Sequence, residues 1–269
     1  MSAFRRKVSA YRAYIALGIQ ETLAYRALFW SSVAGRLLIM AVCLAFWRAV
    51  FASGTFPPSA AESTLRYILL AQVVAPLTLG NLIPVFSKAV MEGTVATELL
   101  RPLDLQESYY AWSLGTLVAT QLREMLVLGA AATLLFGVRL PSDPVTWLAF
   151  LVTVWLGHAL IFLLDWTFAM LTFWTTAGWG LCTLRHVVAL FFGGALLPPV
   201  LMPHWLQQLS AALPFQHMLQ LPATVLLGDV PPSQLPRVWS IQLLWLLGLG
   251  LCSRLAYRTA IRQVTVAGG

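Results

Sequence analysis

Residues 147–173 read WLAFLVTVWLGHALIFLLDWTFAMLTF, a run in which Asp165 is the single formal charge. A bilayer's hydrocarbon core is about 30 Å thick, so a helix that spans it needs about 20 mostly apolar residues. In lipid each backbone amide must be paired within its own segment, which makes such a run a helix. Working outward, five comparable stretches occupy 29–50, 65–87, 113–137, 182–202 and 237–256. The chain therefore reads as an all-α integral membrane protein with six transmembrane helices. Residues 1–269 form a single transmembrane domain, with nothing between the spans large enough to fold in water.

Composition points the same way. Hydrophobic residues make up 59% and charged residues 10%, against roughly 25% charged in soluble domains. The net charge of +7 does not indicate nucleic acid, because the basic residues cluster at span ends and not on one polar face. Their distribution sets an orientation instead. With the N-terminus cytoplasmic, Arg5, Arg6, Lys7, Arg12, Arg26, Lys88, Arg101, Arg185, Arg254, Arg258 and Arg262 lie inside, and Arg48, Arg66, Arg139 and Arg237 lie outside. Positive charge is retained on the cytoplasmic side, so both termini are expected inside, N-in/C-in.

Arg5-Arg6-Lys7 resembles the start of a secretory signal, but Arg12, Gln20, Glu21 and Arg26 break the next apolar run. Residues 1–28 are expected as a cytoplasmic helix lying in the inner interface. Cys43, Cys182 and Cys252 are scattered, and the four histidines show no metal-ligand spacing. Neither Lys7 nor Lys88 follows a glycine-rich loop. A phosphate-binding loop of that kind is therefore not expected. Any ATP-driven work requires a separate motor.

Two connections carry further information. In 88–106, Met91, Val95 and Leu99 recur every fourth residue and make one apolar stripe. Lys88, Glu92, Thr94 and Glu98 lie off it, and Pro102 stops the helix at Arg101. This is a short cytoplasmic amphipathic helix suited to docking. Residues 194–236 are apolar yet carry Pro198, Pro199, Pro203, Pro214, Pro222, Pro231, Pro232 and Pro236. So many prolines exclude one straight helix. Two short helices, about 203–212 and 215–227, are expected to dip into the outer leaflet as a re-entrant segment.

Charges inside spans are costly and normally face a partner. Arg123 and Glu124 fall near the middle of the third span and Asp165 in the fourth, so Arg123 and Asp165 are the expected intramembrane pair. Arg36 is near the inner end of the first span, where it can extend to the headgroups.

Three segments carry a family resemblance. Glu92-Gly93-Thr94-Val95-Ala96-Thr97-Glu98-Leu99-Leu100-Arg101-Pro102-Leu103, Phe173-Trp174 with Trp179-Gly180, and Leu213-Pro214-Phe215 with Leu221-Pro222-Ala223 and Leu227-Gly228 are similar to segments of ABC-2-type permeases, the membrane subunits of ATP-binding-cassette exporters. The resemblance covers nearly the whole chain in order. It implies a non-catalytic subunit of the bacterial inner membrane that works with an ATP-binding-cassette ATPase subunit, which would hold ATP and Mg. It also implies a second permease subunit, identical or related, and surrounding membrane lipids. Met91, Glu92, Val95, Glu98, Leu99, Leu100, Arg101 and Pro102 would couple to the ATPase. Gln72, Asn81, Phe191 and Phe192 would line a route, and Pro203, Pro214, Phe215 and Pro222 would form an outer gate. The cargo implied by outer-leaflet apolar helices is amphipathic or lipid-like. Two other classes compete. A secondary transporter would show an internal repeat and midplane acids, and a lipid-modifying enzyme would need a nucleophile or metal cluster at one interface.

Overall fold

The structure, a computed structural model, describes residues 3–52, 58–78, 80–175 and 177–263. Every regular element among them is helical. Five segments are long and apolar enough to cross a membrane: Arg26–Ala52, Ala61–Met91, Leu105–Phe136, Pro144–Phe173 and Pro232–Gln263. The expected span at 182–202 differs. Its helix covers Gly178–Phe192, roughly 22 Å at 1.5 Å per residue. It ends where Gly194 turns back at φ +77° beside the Tyr67 hydroxyl.

In chain order, α1 (Ala3–Ala24) precedes α2 (Arg26–Ala52). The second apolar segment is broken into α3 (Pro58–Val74), a 3-10 turn (Ala75–Thr78) and α4 (Leu82–Met91). Then follow α5 (Thr94–Leu99), α6 (Leu105–Thr116), a π-helical turn (Leu117–Gln121) and α7 (Leu122–Phe136). The central helix α8 (Pro144–Met170) packs against α4, α6, α9 (Gly178–Phe192), α11 (Leu221–Leu227) and α12 (Leu235–Ala260). The short α10 spans His204–Ala211.

Local chemistry sets the helix starts. Asp104 caps α6 by accepting from the Glu107 amide at 2.9 Å. Asp143 caps α8, accepting from the amides of Val145 and Thr146, with Pro144 at the first helical position. The Val145 bond leads the effects that hold the Asp143 carboxyl below its ordinary range.

Lipid tails offer helices no hydrophobic reward for meeting, so contact depends on packing and polar bonds. Helix α1 shows both. It crosses α6 at Gly18 and Gly115, where a Cβ on either glycine would strike the other helix's backbone. Tyr11 Oη donates to Glu107 Oε2 at 2.6 Å and Trp112 Nε1 to Glu21 Oε2 at 2.8 Å. Burial, then the Glu107 carboxylate, pushes the Tyr11 phenol up to about 12.

The packed interior has two centres. The larger joins α2, α3, α7, α8 and the 216–227 region. The smaller is rich in rings: Phe86, Tyr109, Phe162 and Trp166 interlock with Tyr257 and Phe173. It lies at the end of the bundle that carries α5. In the Pro-rich segment, α10 is followed by a π-helical turn (Gln216–Gln220) and α11, close to the two short helices expected. A π turn releases carbonyls from the regular ladder. Here Gln242 Nε2 of α12 donates to His217 O at 2.9 Å. Gly157 of α8 lets that turn approach closely.

Candidate functional site

The break in the second apolar segment organises the interior. At Gly80 and Asn81 the chain is not helical, and freed carbonyls in a membrane need donors. Helix α9 supplies them. Arg185 Nη1 donates to Thr78 O at 2.6 Å, and His186 Nδ1 lies 3.3 Å from the same oxygen. Arg185 also grips Asp165 of α8 with two parallel contacts, Nε–Oδ1 at 2.6 Å and Nη2–Oδ2 at 2.9 Å. Both side chains are almost wholly buried, at 1% and 2% exposure. A bidentate guanidinium–carboxylate pair is the geometry in which such burial is tolerated. Gly80 permits it, since a Cβ there would overlap Asp165 Oδ2.

This corrects the expected pairing of Arg123 with Asp165. Arg123 lies over the Phe29 ring, with its guanidinium carbon 3.6 Å from the centroid. Its neighbour Glu124 takes Arg36 of α2, Nε–Oε2 3.3 Å. Arg36 therefore turns into the bundle and not toward headgroups. Arg185 is counted among the inner basic residues in the sequence, at the start of the span expected from 182. That helix begins at Gly178, which carries Arg185 two turns inward.

Beside the break is a cavity of about 340 Å³ between α2, α3 and α9, lined by Ser31, Ser32, Gly35, Arg36, Ile39, Gln72, Ala75, His186, Leu190 and Leu196. Of the four route candidates, Gln72 lines it. The Gln72 amide donates to Ala195 O at 2.9 Å. Asn81 lines a much smaller gap of about 20 Å³ with Ser113, His158 and Asp165. Phe191 and Phe192 meet edge to face, and Phe192 stacks on Phe215 with centroids 5.9 Å apart. Ser210 Oγ bonds Phe192 O at 2.8 Å, so α10 is tied to the end of α9. Among the gate candidates, Pro214 and Pro222 are buried, Phe215 is half-buried, and Pro203 is exposed at the start of α10.

The coupling candidates divide in two. Gly93, at φ +71°, separates α4 from α5. Val95 is buried in the ring-rich centre and Leu99 packs on it. Tyr109 Oη donates to Glu98 Oε2 at 3.0 Å, and Arg101 Nη1 donates to Tyr14 Oη at 2.7 Å. The Tyr14 bond is the main cause holding the Arg101 guanidinium above its ordinary pKa. Val95, Leu99, Glu98 and Arg101 thus fasten α5 to α6 and α1. The outward face belongs to Leu100 at 85% exposure, Met91 at 61%, and exposed Glu92 and Pro102. Lys88 pairs with Glu92 at 3.7 Å. Trp174 and Trp179 are also exposed in the junction after α8, which joins this end because Phe86 meets Phe173 and Gly178 abuts Ser87.

A model of the ABC-2 family of transporter proteins matches residues 37–268. No curated protein and no solved structure gives a significant match.

Proposed function

Because the chain belongs to the ABC-2 family of transporter proteins, we propose that it is the membrane subunit of an ATP-binding-cassette exporter of the bacterial inner membrane, driven by a separate ATPase that holds ATP and Mg. The observation that carries the reading is α5. Four contacts secure it to the bundle, and Met91 and Leu100 stay largely exposed among the described residues. A short helix so braced, with a bare apolar tip beside Lys88 and Glu92, suits a groove in a soluble partner.

Helix α1 and the end of α12 lie on the α5 side, which in this reading is cytoplasmic. Removing Arg185 from the inner count leaves ten basic residues inside against four outside. Helix α9 makes a sixth, shorter crossing, and α10 and α11 lie in the outer leaflet. Two permease subunits, this chain twice or with a relative, face each other across α2 and α9. Closure of the ATPases pushes α5, and Val95 passes the push to the ring-rich centre that α4 shares with α8. The non-helical Gly80 and Asn81 are where α4 can then move relative to α3, a hinge between two packings of the bundle.

Affinity purification of the tagged chain should bring down the ATPase, and Met91→Glu/Leu100→Glu should lose it while the chain stays folded. Transport by the purified chain without any ATPase would overturn the proposal.

A further inference from the structure

We propose that the groove between α8 and α12, at the end of the bundle that carries α5, binds an anionic phospholipid, with its phosphate on Arg258 and an acyl chain along the leucines of α12. This goes beyond the transport reading. It requires only that α12 crosses the membrane, and it holds whether or not an ATPase docks.

From Leu235 to Arg258 the helix runs roughly 35 Å at 1.5 Å per residue, a little more than the hydrocarbon thickness of about 30 Å. With Leu235 at one headgroup layer, Arg258 reaches the other. Leu247, Leu251, Leu255 and Arg258 follow one another at helical spacings of four, four and three, so the guanidinium stands over the end of a leucine stripe. These leucines are 73%, 65% and 53% exposed, and surface that a spanning helix leaves bare meets acyl chains. Beside the stripe, Gly250 faces Leu163 of α8 without a side chain, which opens a groove of about 560 Å³.

No carboxylate lines this groove among the described residues, and its two cations differ. Arg254 is neutralised, with Nη1 2.6 Å from Asp104 Oδ2 and Nη2 3.8 Å from Glu107 Oε1. Arg258 is exposed and has no ion pair or hydrogen bond among the described residues. Arg262, also exposed, adds a second cation one turn further on. A guanidinium meets phosphate oxygens through two parallel N–H bonds. An unpaired one above an apolar groove therefore complements a phosphate diester that carries tails. A zwitterionic lipid is the poorer match, because it brings its own cation to Arg258 and Arg262. The lipid would bridge α8 and α12 where Arg254 ties α12 to Asp104, the cap of α6.

The test titrates the full chain in maltoside micelles with palmitoyl-oleoyl phosphatidylglycerol, or with the phosphatidylcholine of the same chains, and reads bound lipid by native mass spectrometry. Glycerol 3-phosphate is the soluble competitor. The first phosphatidylglycerol should bind more tightly than the first phosphatidylcholine, by about fivefold for each unpaired arginine, and glycerol 3-phosphate should not displace it. Arg258→Gln/Arg262→Gln should abolish the preference. Gly250→Leu fills the groove at little cost to the fold, since a Cβ there meets only Leu163 Cδ1, at 4.0 Å. It should weaken the first binding of either lipid about tenfold, the loss of roughly two buried methylenes. Arg237→Gln, at the opposite end of α12, should change nothing. Equal binding of the two lipids by the unaltered chain would overturn the anion. An unchanged preference in Arg258→Gln/Arg262→Gln, or its equal loss in Arg237→Gln, would overturn the headgroup's location. Unchanged lipid binding in Gly250→Leu would overturn the groove, and displacement by glycerol 3-phosphate would make the ligand a free phosphate and not a lipid.

Discussion

Arg185 of α9 holds Asp165 of α8 through two contacts of 2.6 and 2.9 Å while donating a third bond, of 2.6 Å, to the carbonyl of Thr78. One guanidinium thus joins α8, α9 and the second apolar segment beside its non-helical Gly80 and Asn81. Arg185→Gln or Asp165→Ala leaves a buried charge alone and should cost about 3–5 kcal/mol. Arg185→Lys should rescue little, since an ammonium cannot form the planar fork and also reach Thr78 O. Thermal unfolding in detergent, followed by fluorescence-detected size exclusion, reads the difference; full stability in Arg185→Lys would contradict the tripartite role.

Gly115→Leu should release α1. Its Cβ would overlap the Ile15 carbonyl, and overpacking of this kind costs about 1–3 kcal/mol. Trypsin should then cut faster at Arg12 than in the unaltered chain, whereas an unchanged digestion rate would show that α1 does not depend on this crossing.

Glu98→Ala and Arg101→Ala each remove one fastening of α5, a hydrogen bond involving a charged group worth about 1–2 kcal/mol at these partly exposed positions. Both should loosen α5 without removing its exposed tip, so ATPase capture should weaken and not vanish. Leu100→Glu should do the reverse, leaving the melting temperature alone and abolishing capture.

Phe192 and Phe215 stack with an interplanar angle of 25°. A double-mutant cycle with leucine at each position should give a coupling of about 0.5–1.5 kcal/mol. Zero coupling would separate the end of α9 from the Pro-rich segment energetically.

Much of the architecture was legible in the sequence, for a plain reason: lipid imposes length and apolarity on a span. The Pro-rich stretch likewise announced its two short helices, because proline disrupts a helix interior but is tolerated in a first turn. The charge pairing was not legible. Depth along a helix follows from sequence position, but the direction a side chain faces follows from packing, and Arg123 meets Phe29 while Asp165 meets Arg185. Arg185 was hidden by a boundary error of about one turn at the start of α9. The stripe Met91–Val95–Leu99 shows a further limit. Periodicity reveals that a face is apolar and says nothing of what covers it. Val95 and Leu99 meet their own bundle, while Met91 on the stripe and Leu100 off it are left outside.

The account's central claim, an external motor gripping α5, is tested most directly by photo-cross-linking from Leu100. A benzophenone amino acid at this position, in the full chain co-expressed with its cognate ATPase in membranes, should yield an adduct of chain plus ATPase, while the same group at Leu244 on the exposed face of α12 should not. No adduct from position 100, or equal adducts from both positions, would contradict it.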